Sequence, residues 1–279
     1  MHRRSDPKGV ALSLALLVSA SGALAQVVPN NAALYLHPTD VRDARALWVN
    51  PAGLGAFPEA SVHFDLTIGD PGAEGQLRQL TLGFNSRGLS LGYQRDLFGA
   101  GQRGHTYRLG YAAGRGGVAA GFATVLYRGG TSGTGWDMGI LYDWLPALSV
   151  GGVIQNIGRP VVRDSTLRIT YVPSATLQLA GRRMVFSALS RLTSDGVAGY
   201  AFGLRGTLRA GSSLPIGLLA RLDTDRSLHR SALVFGFSLG GEDTAGLVAR
   251  TPGDASGIDG LSLYGVSTRR LTRARRSAP

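Results

Sequence analysis

Hydrophobic and polar residues alternate with a period of two along most of the chain after residue 60. In the stretch ASVHFDLTI (60–68), every second residue is apolar from Val62 to Ile68, and the residues between them are polar or small. Such alternation is typical of a β-strand with one apolar face. The same pattern returns at short intervals and predicts about fourteen strands between residues 60 and 268. An even strand number is what single-chain bacterial outer-membrane barrels require.

The connections between these strands differ in length in a regular way. Short links such as NSRG, GRGG, LPA and GRR alternate with long links such as GDPGAEGQ and DLFGAGQRGH. Outer-membrane barrels have tight turns at one end and longer loops at the other. The sequence therefore predicts an all-β fold, a transmembrane antiparallel β-barrel of about 14 strands. If the long loops face outside, both chain ends lie in the periplasm.

The stretch WDMGILYDW places two tryptophans, Trp136 and Trp144, on the same face of one predicted strand. Eight residues at about 3.3 Å each, tilted by about 40°, separate them by roughly 20 Å along a barrel axis. This is close to the height of an apolar belt bounded by aromatic girdles, so we assign both residues to such girdles, with outer-membrane lipid around them. The alternative is a soluble sandwich in which these tryptophans are core residues.

The first 25 residues have the layout of a secretory signal peptide. A basic region with Arg3, Arg4 and Lys8 precedes an apolar run and the small residues Ala23 to Ala25. No later segment has the roughly 18 consecutive apolar residues that a spanning helix needs. We therefore predict export, a mature chain from Gln26, and a location in the bacterial outer membrane.

The amino-acid composition excludes several kinds of catalytic and binding site. The chain has no cysteine, and Lys8 is its only lysine, so the mature chain lacks thiolate ligands, disulfides and a Schiff-base lysine. We predict no cofactor and no metal site. The net charge is +11, but five arginines crowd residues 269–279, which we interpret as a basic C-terminal tail. Without them the body is only mildly basic, which argues against a nucleic-acid partner.

A lead-in segment precedes the first strand and spans residues 26–59, which we place in the periplasm. Asp40 is a candidate cap for a short helix from Val41 to Trp48, with apolar residues on one side. Asn50 and Pro51 end that helix, because a residue before proline is disfavoured in the helical region. Gly53 and Gly55 permit the chain to turn into the first strand.

The stretch ALWVNPAGLG (46–55) resembles the segment that precedes the first strand in the FadL-like superfamily of outer-membrane barrels. That superfamily includes fatty-acid transporters and the PorV-like proteins of secretion systems. The resemblance implies a fourteen-stranded barrel with this segment near its periplasmic mouth. It also implies either passage of a solute, hydrophobic in the fatty-acid transporters, or service as a membrane anchor for a periplasmic or secreted protein partner. Asn50, Pro51 and Gly53 carry the motif.

A second resemblance concerns the barrel-like region ahead of the peptidase in some signal-peptide-peptidase-like proteins. Their peptidases use a serine and lysine pair, which a mature chain without lysine cannot supply. On this alternative, the protein is a non-catalytic barrel of that kind. We predict that the protein is not an enzyme. An outer-membrane lipid hydrolase is a further alternative, because His105 and His229 fall near strand ends, and His229 lies beside Ser227 and Ser231 in the sequence.

Several charged residues fall on the polar side of the predicted strands and are assigned to the barrel lumen. They are His63, Asp65, Arg108, Asp137, Asp143, Arg205 and Arg221. One interpretation is that they are solvated or form ion pairs across the lumen. The other is that they form a constriction that selects polar or charged solutes.

Overall fold

A computed structural model describes residues 29–271, except 73–74, 98–102, 130–131, 163–164, 182 and 211–213. The predicted signal peptide and Arg273, Arg275 and Arg276 of the predicted tail lie outside the described residues. Within that described part of the chain, no helix has the length and apolar character needed to cross a membrane.

Fourteen antiparallel strands form one closed barrel, which confirms the predicted fold class and strand number. The first seven are β1 (Glu59–Gly69), β2 (Gln76–Ser86), β3 (Leu89–Leu97), β4 (Arg103–Arg115), β5 (Val118–Arg128), β6 (Gly133–Leu145) and β7 (Leu148–Ile157). A two-stranded hairpin, β8 (Val161–Val162) and β9 (Ser165–Thr166), follows in a loop. The remaining strands are β10 (Thr170–Leu179), β11 (Met184–Thr193), β12 (Gly196–Ala210), β13 (Leu214–Asp225), β14 (Arg230–Gly240), β15 (Asp243–Pro252) and β16 (Gly260–Arg270).

The barrel closes where the first strand pairs with the last. The register of β1 on β16 runs from Glu59 opposite Arg270 to Gly69 opposite Gly260. Arg269 and Arg270, which we had assigned to the basic tail, therefore belong to the last strand. The Arg269 guanidinium lies 2.8 Å from the Asp243 carboxylate at the start of β15.

Short and long connections separate to opposite ends of the barrel, which we call the turn end and the loop end. At the turn end, β2 and β3 are joined by Arg87 and Gly88, both with positive φ values of 51° and 89°. Two successive left-handed residues match the twist of a tight hairpin, and glycine adopts this conformation without strain. The loop end carries the β8 and β9 hairpin. Tight turns mark the periplasmic end of outer-membrane barrels.

Apolar side chains cover the outside of the barrel. Leu82, Leu91 and Leu109 are about half exposed, and similar residues recur on neighbouring strands. Trp136 and Trp144 both point outward, near the loop end and the turn end of β6, with exposures of 44% and 61%. They are not core residues, so the sandwich alternative is wrong. A closed wall with an apolar exterior leaves no unpaired strand edge and spans a lipid bilayer.

The lead-in segment lies inside the barrel from Pro29 onward, and not in the periplasm. We call residues 29–58 the lumen plug. Helix α1 (Ala32–Tyr35), helix α2 (Ala46–Val49) and a 3-10 helix (Pro51–Gly55) are its regular elements. Its apolar side chains, including Tyr35, Leu47 and Trp48, pack with inward-facing wall residues to form the largest buried cluster. These side chains need burial, and the interior of a fourteen-stranded wall is wide enough to supply it.

The predicted helix from Val41 to Trp48 is shorter in the structure. Only Ala46–Val49 is α-helical, and it ends where predicted, at the extended residue Asn50 before Pro51. Asp40 does not cap a helix. Its carboxylate instead accepts a hydrogen bond from Arg205 on the wall at 2.7 Å, and this ion pair replaces the expected capping role.

Candidate functional site

The lumen plug is fastened to the wall at its first residues near the loop end. The side-chain amide of Asn30 donates to Thr81 and Gln94, both at 2.9 Å. The Asn31 amide donates to Ser262 at 2.5 Å and to Asp65 at 3.4 Å. The plug therefore touches both sides of the seam between β1 and β16. Pro29 also lies inside the barrel, where its carbonyl accepts from Gln79 at 3.2 Å.

A second set of contacts holds the plug where it turns near the turn end. The hydroxyl of Thr39 lies 2.9 Å from that of Ser174 and 2.7 Å from that of Thr176, both on β10. Arg42 donates two hydrogen bonds to the Asp143 carboxylate, at 2.8 and 2.6 Å. Bidentate pairing fixes a guanidinium in orientation as well as position. The plug is thus positioned by directional contacts as well as by apolar packing.

The Asn50 to Gly55 motif forms the tightest contact between plug and wall. The side chain of Asn50 is fully buried, donates to the carbonyls of Pro38 (3.0 Å) and Ile140 (3.3 Å), and accepts from the Ala52 N–H (3.1 Å). One side chain therefore joins two parts of the plug to strand β6. The motif thus serves as an anchor as well as a helix stop.

Glycines of the wall make room for this anchor. A Cβ atom at Gly139 would collide with the Asn50 side chain, and one at Gly121 would meet the carbonyl of Pro51 at about 2.5 Å. Within the motif, a Cβ atom at Gly53 would collide with the Val41 carbonyl. The plug and the inner wall therefore approach each other at backbone distance.

All seven predicted lumen residues lie on the inside of the barrel, but they do not form a single ring. Asp137 and Asp143 lie six residues apart on β6, about 15 Å along the axis for strands tilted by about 40°. His63 and Asp65 face the plug from β1, with exposures of 0% and 1%. Because their positions along the strands differ, the seven residues do not meet at one height, and a constriction formed by some of them stays a prediction.

Most of these charges are neutralised by a close partner. Arg108 pairs with Asp137 at 2.6 Å across the inner wall, and Arg221 pairs with Asp223 at 3.0 Å. Asp143 and Arg205 instead pair with plug residues, Arg42 and Asp40 respectively. These contacts match the interpretation that the charged residues form ion pairs within the lumen. They differ from it in that two of the partners, Arg42 and Asp40, belong to the plug.

Arg221 connects the wall to the middle of the plug. It is 2% exposed and donates to the carbonyls of Ala33 (3.0 Å), within helix α1, and Leu36 (2.7 Å), just after it. Beside this contact, the ring of Tyr35 stacks on that of Tyr264 with centroids 5.5 Å apart. These contacts hold helix α1 against β13 and β16.

Burial shifts the titration of the charged groups on the plug. Burial alone would raise the pKa of the Asp43 carboxyl, but Arg45, at 2.7 Å, outweighs it and holds that pKa below its usual value. For His37, burial lowers the pKa to about 3, and the charge of Arg221 acts in the same direction. His37 is therefore neutral at pH 7, while Asp43 and Arg45 are a charged pair.

Cavities remain in the lumen on both sides of the plug. The loop-end cavity, about 160 Å³, lies between the plug residues Asn30 and Trp48 and the wall residues Thr106, Arg108 and Gln155. Two adjoining turn-end cavities, about 290 and 300 Å³, share Leu36, Arg45 and Arg205 as lining residues. Outside the barrel, an apolar trough of about 710 Å³ runs over β1 to β5 and faces lipid.

Neither histidine of the hydrolase alternative has the partners of a nucleophilic serine. His105 lies 2.9 Å from the hydroxyl of Tyr93, and His229 is exposed and lies 3.4 Å from Asp225. Among the described residues, neither is hydrogen-bonded to a serine hydroxyl. The described part of the chain also has no group of three or more histidines, aspartates or glutamates that could hold a metal ion.

The sequence interpretation missed the plug side of the site. Thr39, Arg42 and Arg45 are not among the predicted lumen residues, and of their partners only Asp143, which pairs with Arg42, is in that set. The polar positions on the inward faces of the strands do not reveal the plug, because an empty polar lumen and a plugged one both require them.

Comparison with protein-family models and with curated proteins gave no match. Among solved structures, the CymD monoaromatic hydrocarbon channel is similar over 90% of this chain and 99% of that one, with a TM-score of 0.55 and 10% identity. The toluene transporter TbuX of Ralstonia pickettii is similar over 90% of this chain and 100% of that one, with a TM-score of 0.54 and 12% identity. A FadL homologue of Pseudomonas aeruginosa aligns with a TM-score of 0.46 and 8% identity, over 86% and 97% of the two chains. At these identities the likeness concerns the fold, which together with the apolar exterior places this barrel in the bacterial outer membrane.

Proposed function

We propose that the protein is an outer-membrane channel for small solutes, closed in this structure by the lumen plug and opened when the plug is displaced. The observation that carries the proposal is the division of the lumen into cavities at both ends, about 160 Å³ at the loop end and about 290 and 300 Å³ at the turn end. Plug residues line all three cavities.

The fold of CymD and TbuX, which are described as a hydrocarbon channel and a toluene transporter, supports solute passage as the general function. The finer assignment to a FadL-like or PorV-like type belongs to this proposal and rests on the Asn50 to Gly55 motif. The signal-peptide-peptidase-like alternative stays a prediction, because no described feature of the barrel favours it.

A second candidate function is a membrane anchor for a periplasmic or secreted protein. The paired charges of the plug favour it, because Arg42, Asp40 and Arg221 each hold the plug to the wall through charged hydrogen bonds. A plug that never leaves would make the barrel a sealed platform. The two candidates therefore differ in whether the plug moves.

A disulfide between plug and wall tests plug movement, since the chain has no cysteine of its own. The hydroxyls of Thr39 and Thr176 lie 2.7 Å apart, so Thr39→Cys with Thr176→Cys places two thiols within bonding reach. The matched control is Thr176→Cys with Ser187→Cys, which joins two wall strands whose hydroxyls lie 2.9 Å apart and leaves the plug free.

The readout is the uptake of erythritol, tartrate and toluene into reconstituted vesicles, after subtraction of the uptake by protein-free vesicles. We expect uptake by the unmodified protein, loss of uptake in the oxidised plug-to-wall variant, recovery on reduction, and no effect of the wall-to-wall disulfide. Uptake that persists with the plug locked would show that the plug does not gate the channel. No uptake of any solute by the unmodified protein would refute the channel and leave the anchor.

A further inference from the structure

We infer that the loop-end cavity is a binding site for small neutral polar solutes, such as short polyols or amides, and that these are the class the channel admits. This inference rests on the proposed channel function. The inference concerns only the class of solute, and its evidence is the chemistry of the residues that line the cavity.

The lining of the loop-end cavity is mixed, and several of its polar side chains are deeply buried. Asn30, Thr106 and Asp137 are 7%, 5% and 2% exposed, and all contribute to the cavity surface. Trp48 and Tyr127 supply its aromatic surface. Buried polar groups around a cavity require hydrogen-bonding partners, which water or a polar ligand provides and a hydrocarbon does not.

Two side chains of the lining are free to bind a ligand. The hydroxyl of Thr106 and the amide of Gln155 make no hydrogen bond within the described part of the chain, and both residues line the cavity. A hydroxyl and a primary amide each donate and accept hydrogen bonds. Together they suit a ligand that also has donors and acceptors, as the hydroxyls of a polyol do.

Several other polar groups of the lining are engaged with each other, whereas Nε1 of Trp48 and Nε of Arg108 are buried without a hydrogen-bond partner. Asn30 donates to Gln94, and the amide of Gln94 donates to Asp96 at 2.9 Å. Arg108 and Asp137 neutralise each other at 2.6 Å, and the Asp137 carboxylate also accepts from the Asn156 N–H at 2.9 Å. No net charge is left in the lining to attract an ion, so the site favours neutral solutes over anions and cations.

The volume limits the size of the solute. A cavity of about 160 Å³ has room for roughly five water molecules at about 30 Å³ each. This volume admits molecules the size of a three- to five-carbon compound and excludes disaccharides. The half-buried side chain of Leu167, from the loop that carries β8 and β9, also lines the cavity.

The test uses the full chain in vesicles and compares erythritol with tartrate, which has the same carbon skeleton but two carboxylates, and with toluene. The variant Thr106→Val with Gln155→Met keeps the side-chain volumes and removes both free polar groups. The matched control is Thr207→Val, which removes a hydroxyl from a turn-end cavity. A heat-modifiable band on electrophoresis verifies that each variant is folded.

For the unmodified protein we expect erythritol uptake well above tartrate uptake. In the Thr106 and Gln155 variant, erythritol uptake relative to toluene falls about 25-fold, since each of the two lost hydrogen bonds is worth a factor of about five. Thr207→Val leaves the ratio unchanged. Equal uptake of erythritol and tartrate, or an unchanged ratio in the double variant, overturns the inference while the channel stands. Absence of uptake for all three solutes refutes the channel itself.

Discussion

Replacement of Asn50 by alanine is expected to release the lumen plug. The side chain makes three hydrogen bonds, to Pro38, Ile140 and Ala52, at 3.0, 3.3 and 3.1 Å, and is fully buried. At roughly 1 kcal/mol for each bond, the variant loses about 3 kcal/mol of the free energy that seats the plug. Because 1.4 kcal/mol is a factor of ten, the population with a displaced plug rises by about a hundredfold.

Limited trypsin cleavage measures that population. The guanidinium groups of Arg42 and Arg45 are only 15% and 14% exposed when the plug is seated, so cleavage after either residue requires displacement. When opening is fast compared with cleavage, the cleavage rate follows the population of the open form. Mass spectrometry identifies fragments that begin at Asp43 or Ala46, and we expect them to form about a hundred times faster in Asn50→Ala.

The matched control is Asn85→Ala. Asn85 is also fully buried on the inner wall, but its side-chain oxygen accepts from the Gly88 N–H in the turn between β2 and β3, at 3.2 Å. It belongs to the wall, so cleavage of the plug is expected to change little. Equal cleavage rates in Asn50→Ala and the unmodified protein would refute the role of Asn50 as the anchor, and an equal increase in both variants would show a general loss of barrel stability.

Three further predictions concern other parts of the structure. Acid is expected to loosen the plug: the pKa of buried His37 is lowered to about 3, so the stabilisation by its neutral form is complete above pH 6.5 and is lost as the pH falls from 6.5 toward 3. At pH 5 the loss is roughly 2 kcal/mol, and it is measured as increased acrylamide quenching of Trp48 fluorescence in a protein that also carries Trp136→Phe and Trp144→Phe. The substitution His37→Gln should abolish the pH effect. Removal of one partner of the buried Arg108 and Asp137 pair is expected to lower the free energy of unfolding by about 3 to 5 kcal/mol, whereas the double change Arg108→Met with Asp137→Leu lowers it by less than either single change. The free energies are measured by urea unfolding, and a loss in the double variant equal to the sum of the two single losses would contradict the coupling. Trp136 and Trp144 are expected to be quenched more by lipids brominated near the headgroup than by lipids brominated at the chain end, and the reverse order would exclude the girdle assignment.

The barrel wall could be predicted from sequence because its determinants are local. On a strand such as β1, each apolar residue that faces lipid alternates with a polar residue that faces the lumen, and the period of two is visible within nine residues. The turn residues Arg87 and Gly88 mark a hairpin within a window of four residues. Neither feature depends on a partner far away in the chain.

The site depends on partners far apart in the chain, and for this reason the sequence did not reveal it. Arg42 meets Asp143 and Arg221 meets the carbonyl of Leu36, at separations of 101 and 185 residues. The apolar spacing of residues 41–48 predicted a helix, but only Ala46–Val49 is α-helical, and the Asn50 side chain that follows packs against Gly139 of the wall. Close approach of two backbones at wall glycines has no local sequence pattern.

The contacts of the plug with the last strand bear on how the molecule is assembled. Asn31 donates to Ser262, and Tyr35 stacks on Tyr264, so the first plug residues bind the strand that closes the barrel. A chain that stops before β16 has neither these contacts nor the pairing that closes the wall on β1. Loss of β16 therefore leaves both the edge of β1 and the start of the plug without a partner that each has in the closed barrel.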